Sequence, residues 1–480
     1  MIRTIQVCVL SGLLTLAATS RAGTEIALPA MGTDVSARMS PEEEQNLGAA
    51  FMRRIRQDIP VIDDPEVADY IYSLGYQLVA HSEYRNRPFH FFVINDNSIN
   101  AFAGPGGYIG TNTGLILTAE SESEVAAVLA HEIAHITQRH LDRTMDATEK
   151  LGLPTAAAII AAVVLGGNNI IIAEAAIAAT LAANMQTQLN FSRTHETESD
   201  HIGMQTLAQA GYDPKAMPGF FERLQQNDRL YDAGTPEFLR THPVTTDRIA
   251  ESRDRAAQYK NVVKRDQAQF NLIKAKIRVI SNGDVQKLAK TYRVEIEEGA
   301  SRDKRAEIYG YAWALLMSRN YAEARRQAKA LLESDQPRIP YLSLMAQIET
   351  ADGKYAKALE LYTAALKSNP GNFPLSHGYA TTLLLAGQPK KARETLIGIV
   401  KDHPLPPLFE LLAKASDDAG FPGAAHEALA EYYFQNGQTQ VAIRQLGLAL
   451  REKDINAADA VRIEARVKEL NELAKLEKEF

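Results

Sequence analysis

The chain has 480 residues, of which 45% are hydrophobic and 23% are charged, a composition typical of a globular protein with two or three domains. Its formal net charge of -7 gives no basic surface that would attract a nucleic-acid backbone, so we expect no nucleic-acid partner. The single cysteine, Cys8, excludes an intrachain disulfide framework.

Residues 1–22 have the features of an export signal. Arg3 begins a positive segment, an apolar run follows from Ile5 to Ala18, and small residues at Ser20 and Ala22 fit a signal-peptidase site. Cleavage after residue 22 would remove two arginines and Cys8, so the mature charge would be -7 - 2 = -9 and no thiol would remain. We therefore expect an exported protein whose domains are held together by packing alone.

The first part of the mature chain is predicted to contain two helices and a small sheet. The first helix runs from Pro41 to Arg56, and the second begins after the acidic residues Asp63 and Asp64. The run 89–94 is apolar and aromatic, as in a strand, and the Gly106-Gly107 turn joins two further strands. A hairpin at this position could offer an edge (Asn100, Ala101 and Phe102) to an extended peptide, although such hairpins are usually only structural.

The motif H-E-x-x-H occupies residues 131–135, within a segment whose apolar residues recur at helical spacing. Ser121 and Glu124 fit a capping box at the start of this helix. His131 and His135 then lie one turn apart on the same face, where two imidazoles can share one metal ion. Glu132 would stand beside the open position of the metal and take a proton from water, which is the chemistry of a zinc hydrolase. The alternative is that all three are ordinary surface residues.

Residues 151–183 form the most apolar part of the chain after the signal. Two alanine- and isoleucine-rich runs are separated by Gly166-Gly167-Asn168-Asn169, and neither reaches the 20 or so residues that a membrane-spanning helix needs. We interpret the segment as a helical hairpin or flap that packs on the catalytic domain or makes a peripheral membrane contact. A re-entrant membrane segment is the alternative.

A polar helix predicted from Met185 to Leu207 supplies candidates for the third metal ligand. Glu196 would complete a His-His-Glu site, and Asp200, one turn later, would accept a hydrogen bond from a ligand histidine. Glu198 is a rival ligand from the same helix. Three further histidines are interpreted as surface residues or as supports of the ligands: His140, His195 and His201.

The rest of the chain is predicted to be helical. A loop that includes His242 follows a helix at 217–230, and linking helices are expected over 261–304. From 305 to 470 the chain repeats with the 34-residue tetratricopeptide period, seen in Ala324, Ala358 and Ala392, with an extra helix near 405–421. Chance periodicity in a generic helical bundle is the alternative. We place the catalytic domain at 40–260.

Three motifs in combination identify a family. The chain carries H-E-x-x-H, then Arg193-x-x-Glu196-x-Glu198-x-Asp200-x-x-Gly203, and then Thr241-His-Pro-x-x-x-x-Arg248. It resembles the HtpX and CAAX-prenyl-protease class of gluzincin metallopeptidases, and within it the periplasmic members that carry tetratricopeptide repeats. Ser199, where the family more often has alanine, is a small departure.

The resemblance implies a mainly α fold: a mostly helical gluzincin domain with a small β-sheet, followed by a tetratricopeptide α-solenoid. It implies one zinc ion bound by His131, His135 and Glu196, with Glu132 as general base and Asp200 as a catalytic support. His242 would occupy the fourth position and hold the enzyme inactive, although in a Thr-His-Pro turn it could also cap a helix. Arg248 would steady the substrate or this loop.

The expected function is zinc-dependent proteolysis in the periplasm. By resemblance, the substrates are misfolded or stalled outer-membrane β-barrel proteins, and the repeats bind their assembly machinery. A second hypothesis is a chaperone or scaffold whose protease site stays closed. A third, an intramembrane protease, depends on residues 151–183 alone.

Overall fold

The computed structural model describes residues 40–83, 87–141, 193–230, 236–260, 265–299 and 303–478. The export signal predicted at 1–22 and the apolar segment at 151–183 lie outside these residues. Among the described helices, none is both long enough and apolar enough to cross a bilayer.

The first half of the described chain is helical around a three-stranded sheet. Its elements, in order, are α1 (Pro41–Asp58), α2 (Pro65–Val79), β1 (His90–Ile94), β2 (Ala101–Ala103), β3 (Tyr108–Asn112), α3 (Thr113–Thr118), α4 (Glu122–Thr137), α5 (Arg193–Gln209), α6 (Ala216–Leu230), α7 (Glu237–Thr241) and α8 (Thr246–Ala256).

The sheet has the strand order β1-β3-β2. β3 pairs with β1 in parallel and with β2 in antiparallel, and a 3-10 turn at Pro105–Gly107 joins β2 to β3. Gly106 and Gly107 both adopt positive φ in this turn, as the predicted hairpin required. β2 therefore forms one edge of the sheet, with α4 beside it.

Helix α4, which carries the H-E-x-x-H motif, is almost entirely buried. It begins at Glu122 with Ser121 as the N-cap residue, but the Ser121 side chain makes no capping hydrogen bond. Glu124 instead accepts a hydrogen bond from the backbone N–H of Glu120 at 2.6 Å and pairs with Arg223. The predicted capping box is therefore wrong, because this carboxylate is used by a neighbouring helix.

The second half of the described chain consists of helices alone. They are α9 (Ala268–Ile280), α10 (Val285–Glu298), α11 (Lys304–Met317), α12 (Tyr321–Ser334), α13 (Ile339–Ala351), α14 (Tyr355–Ser368), α15 (Phe373–Leu385), α16 (Pro389–Asp402), α17 (Pro406–Asp418), α18 (Pro422–Gln435), α19 (Thr439–Ala449) and α20 (Ala457–Lys478). From α10 onward, consecutive helices pack against each other, as in a tetratricopeptide solenoid.

The turns between paired helices explain the 34-residue period. Arg319, Gly353 and Gly387 have positive φ at the turns after α11, α13 and α15, and these three residues are spaced 34 residues apart. Gly437, at the turn after α18, follows Gly387 by 50 residues. A residue in the left-handed region ends one helix and turns the chain into the next. The extra helix expected near 405–421 is present as α17.

Helix α9 lies at the junction of the two halves and packs into both cores. Phe270, Ile273 and Ile277 belong to the core that contains α2 and α4, whereas Leu272 and Val279 pack with the first repeat helices. On the same helix, the Lys276 ammonium is fully buried and lies between the two cores. This helix therefore packs as part of both halves, which a simple linker would not do.

Candidate metal centre

Two helices bring the predicted ligands together. α4 supplies His131 and His135, and α5 crosses it closely enough that a Cβ added to Gly203 would lie 3.0 Å from the backbone N of His131. The absence of a side chain at Gly203 therefore permits this close approach. As a result, Glu196, two turns earlier on α5, lies beside both histidines.

The distances between these three side chains fit a metal ion. The Nε2 atoms of His131 and His135 are 3.0 Å apart, and each lies 3.5 Å from an oxygen of Glu196. Ligand atoms about 2.0–2.1 Å from a tetrahedral zinc ion lie roughly 3.3 Å from one another. The donor set of two imidazoles and a carboxylate is also one that zinc prefers.

His242 is the fourth member of the cluster. Candidate ligand atoms of His131, His135, Glu196 and His242 all lie within 4.8 Å of one another, and all four residues are buried. His242 follows α7, and its Nδ1 lies 3.1 Å from Glu196. Its backbone N–H donates to Phe238 O, so this residue does cap a short helix in addition to facing the other ligands.

Glu132 lies next to this cluster and is 1% exposed. One of its oxygens is 3.6 Å from Nε2 of His242. Burial raises the pKa of Glu132, and the nearby imidazole of His131 partly opposes this effect. A carboxylate with a raised pKa can both accept and return a proton near neutral pH.

Asp200 and Arg248 support His131 from the other side. Nδ1 of His131 lies 3.0 Å from Asp200, which in turn accepts two hydrogen bonds from Arg248. Burial alone would raise the pKa of Asp200, but His131 and Arg248 lower it below its usual value. Asp200 is therefore a carboxylate that can fix the orientation of a ligand histidine.

The electrostatics of the two histidines differ. Burial lowers the pKa of His131, but hydrogen bonds and negative charge from Asp200 and Glu196 outweigh it and raise that pKa to about 10. Burial and the positive charge of His131 lower the pKa of His135 well below its usual value. The negative charges of Glu196 and Asp200 therefore favour a positive charge at this position, which a bound divalent cation would supply.

Arg248 is placed to steady the loop. Its Nη1 donates to Pro243 O at 2.8 Å and lies 2.9 Å from Glu196. The side chain is 5% exposed, because Asp200 and Glu196 enclose the guanidinium. Arg248 therefore contacts the loop that carries His242, and its expected contact with the substrate stays a prediction.

The predicted substrate edge is only partly available. Asn112 N donates to Asn100 O and Gly104 N donates to Tyr108 O, so the alternate residues Asn100, Phe102 and Gly104 face β3. The alternation of an antiparallel ladder directs the backbone groups of Ala101 and Ala103 away from β3. Asn100 and Phe102 therefore do not contribute to the outer edge.

The histidines outside the ligand set have separate places. His140 is fully buried, with Nδ1 2.9 Å from Nδ1 of His135 and Nε2 3.0 Å from Glu198. His195 stacks on His140 with ring centroids 4.3 Å apart. His201 lies 2.7 Å from Glu251, away from the ligands. Glu198 was considered as a rival ligand, but in the structure it lies beside His140. The sequence feature that could have indicated this contact is the presence of a histidine five residues after His135.

Comparisons with known proteins cover both halves of the chain. Residues 65–256 match Peptidase family M48, and residues 349–415 match a tetratricopeptide repeat family. The Beta-barrel assembly-enhancing protease of Escherichia coli (strain K12) is 33% identical over 451 residues, which cover 93% of this chain and 91% of that protein. The protein of the same name from Yersinia pestis is 32% identical over 448 residues, covering 93% and 92%. A Putative beta-barrel assembly-enhancing protease from Vibrio cholerae is 43% identical over 252 residues, 52% of each chain.

Proposed function

The chain belongs to the family of the β-barrel assembly-enhancing proteases, which are metallopeptidases of family M48, and from this premise we propose that it is a periplasmic zinc endopeptidase that acts on outer-membrane β-barrel polypeptides. One observation carries the proposal. Four buried side chains with zinc-type donor atoms converge within 4.8 Å, and a buried glutamate stands next to them.

The zinc site would consist of His131, His135 and Glu196, with one ion per chain. When bound, zinc would polarise the scissile carbonyl and make a water molecule more acidic. Asp200, held by Arg248, keeps the His131 ring turned so that Nε2 points to the metal position. The chain thus provides three ligands and leaves one position for the reacting groups.

Glu132 would move the protons. Its carboxylate takes a proton from the attacking water and returns that proton to the amine that leaves when the peptide bond breaks. Burial, which raises the pKa of Glu132, helps the carboxyl to hold the proton between the two steps. The same burial excludes bulk water, which strengthens each electrostatic contact in the site.

An extended substrate would pair with the outer edge of β2. The backbone groups of Ala101 and Ala103 point to this edge; Ala103 is half-buried, whereas Ala101 is fully buried and would become accessible only when the segment that covers it moves. A peptide that adds to this edge would run past the general base. Pairing through main-chain atoms suits substrates of varied sequence, as unfolded β-barrel proteins are.

His242 would regulate the site. It lies between Glu196 and Glu132, where water and the scissile carbonyl need to be. The hydrogen bond from Arg248 to Pro243 O holds the loop that carries His242 in place. Movement of this loop would open the fourth coordination position. The repeats would bind the β-barrel assembly machinery or the substrate itself, and this binding would determine when the protease site opens.

The covered position of His242 also favours a second candidate function, a chaperone or scaffold in which the repeats act and the protease site stays closed. The two functions differ in whether the chain cuts any polypeptide.

The experiment compares the full chain with its Glu132→Gln variant. Both should bind one zinc ion, and only the wild type should cleave an unfolded β-barrel protein, with a loss in the variant of about 10²–10⁴-fold. A chelator should abolish wild-type cleavage and added zinc should restore it. Equal cleavage by the metal-replete variant would reject the role of Glu132, and absence of cleavage by the wild type and by a variant without His242 would favour the scaffold.

A further inference from the structure

We propose that His140 is a positioning residue for the metal ligand His135, acting as the middle member of a chain of hydrogen bonds from His135 through His140 to Glu198. The inference rests on the proposed zinc peptidase function, since it concerns how one ligand of that site is held. It assigns a role to a buried histidine that lies outside the ligand set.

The backbone brings His140 to this place at a cost. Helix α4 ends at Thr137, and Arg139 then adopts φ 56°, in the left-handed region. A continued helix would put residue 140 roughly 140° around the axis from residue 135, off the ligand face. A residue other than glycine adopts this left-handed conformation rarely, and the conformation persists only where other contacts fix it. Here it folds the chain back so that His140 meets His135.

The hydrogen bonds between His135, His140 and Glu198 can be assigned one consistent order of donors and acceptors. Nε2 of His135 faces His131 and Glu196, so it must be free of its proton when a metal binds. The proton of His135 is then on Nδ1, which donates to Nδ1 of His140 at 2.9 Å. Nδ1 of His140 is therefore the acceptor, and its Nε2–H donates to Glu198 at 3.0 Å. In this series of two hydrogen bonds, each donor therefore has an acceptor.

Neighbouring side chains hold the His140 ring in this orientation. The His195 ring lies parallel to it, with a centroid distance of 4.3 Å and an interplanar angle of 15°. The hydroxyl of Ser199 is 3.4 Å from Nδ1 of His140. Both residues lie on α5, the helix that carries Glu196 and Glu198, so the same helix that supplies the third ligand fixes the support of the second.

The balance of buried charge explains why His135 is supported by the imidazole of His140, whereas His131 is supported by the carboxylate of Asp200. A bound divalent ion together with Arg248 would offset the buried negative charges of Glu132, Glu196 and Asp200, which leaves no further positive charge for another buried carboxylate. An imidazole supports His135 without placing a carboxylate directly beside it, and it passes the contact on to Glu198, whose side chain is 28% exposed. The negative group is thus kept farther from the metal position.

The test measures zinc affinity by competition with a chromophoric chelator, on the full chain. His140→Leu should weaken zinc binding on the order of 10–100-fold, the effect expected when a support of a ligand histidine is lost. His140→Gln, whose amide can accept from His135 and donate to Glu198, should recover most of that affinity. His201→Leu, a histidine on α5 that contacts Glu251, is the matched control and should leave the affinity unchanged.

Two further measurements make the result decisive. In the cobalt-substituted protein, His140→Leu should shift the visible bands, because the His135 ring loses its fixed orientation, whereas His140→Gln should shift them less. Glu198→Ala alone should weaken zinc binding several-fold. Added to His140→Leu, it should have no further effect, since Glu198 acts on His135 through His140.

The outcomes separate this inference from the proposed function. Failure of the wild type to bind zinc would reject the proposed function itself. Tight zinc binding by the wild type together with unchanged affinity in His140→Leu, or equal losses in the leucine and glutamine variants, would overturn the role of His140. If His140→Leu does not fold, Glu198→Ala decides: reduced affinity supports the chain of hydrogen bonds, and wild-type affinity rejects it.

Discussion

Arg248 donates two hydrogen bonds to Asp200, from Nε at 2.7 Å and from Nη2 at 2.8 Å, and both side chains are buried. The same guanidinium holds Pro243 O and therefore the loop of His242. One residue thus links Asp200, which contacts His131, to the segment that carries His242 beside the candidate metal site.

Replacing Arg248 by lysine should test this link. Lysine keeps the charge but cannot make the paired contact or reach the carbonyl at the same time. We expect a loss of zinc affinity of about tenfold or more, measured by chelator competition. Arg253→Lys on the same helix is the control, because Arg253 is exposed and pairs only with Glu222 among the residues described. Unchanged affinity in Arg248→Lys would show that the charge alone is sufficient.

Removing the imidazole of His242 should raise proteolysis. His242→Ala opens the fourth position, and a rise in kcat/KM on the order of tenfold would correspond to a preference of about 1.4 kcal/mol for the covered state. The measurement is cleavage of an unfolded β-barrel protein at equal zinc content. Thr241→Ala is the matched change in the same turn, since its hydroxyl contacts only carbonyls of α7 among the described residues. Reduced cleavage in His242→Ala would instead assign this histidine to catalysis.

Lys276 should be essential for joining the two halves of the chain. Its buried ammonium lies 2.8 Å from Asp64 and 3.1 Å from Glu66, and 4.1 Å from the ring of Trp313 on α11. Lys276→Met leaves both carboxylates without this cation, so we expect a loss of about 3–5 kcal/mol in the free energy of unfolding. Urea denaturation measures the loss, with the exposed Lys287→Met as control.

The pH dependence of this loss has a defined sign. Burial alone would lower the pKa of Lys276, but Asp64 and Glu66 raise it above its usual value of 10.5. Its contribution is therefore complete below pH 10.5 and disappears as the pH rises through the higher folded value. The difference between wild type and Lys276→Met should stay constant from pH 7 to 9 and shrink in more alkaline buffer. A difference that stays the same in strongly alkaline buffer would reject the charge of Lys276 as its source.

Glu349 should stabilise the repeats in the opposite pH range. On α13, it accepts hydrogen bonds from Arg325 at 2.9 and 2.8 Å and from Lys357 at 2.7 Å, and so joins three helices. Burial raises the pKa of Glu349, but these two cations lower it below its usual value of 4.5. The contribution is complete above the unfolded pKa and is lost as the pH falls through the folded value.

Glu349→Gln should therefore destabilise the chain by about 1–3 kcal/mol at pH 7, and this difference from the wild type should narrow near pH 3. Urea midpoints at the two pH values measure it. Glu333→Gln is the control, because that side chain is 66% exposed. An equal difference at both pH values would mean that the loss comes from packing.

The sequence by itself determined the parts that depend on local spacing. The positions 131 and 135 share a helix face because of helical periodicity, and the 34-residue interval of Ala324, Ala358 and Ala392 reflects one helix pair per repeat. Both patterns depend only on spacing along the sequence, so they can be recognised without knowing which segments of the chain contact each other in the fold. The fold class follows from them, and the structure confirms it.

Only the tertiary structure decided which side chains from distant segments meet. Glu196 and Glu198 were both available as ligands, and the crossing of α5 over α4 at Gly203 brings the first to His131 and the second to His140. Glu124 had the spacing of a capping box, but the arginine of another helix uses it. Hydrogen bonds and ion pairs between distant segments depend on how helices pack, and residue spacing along the chain does not carry that information.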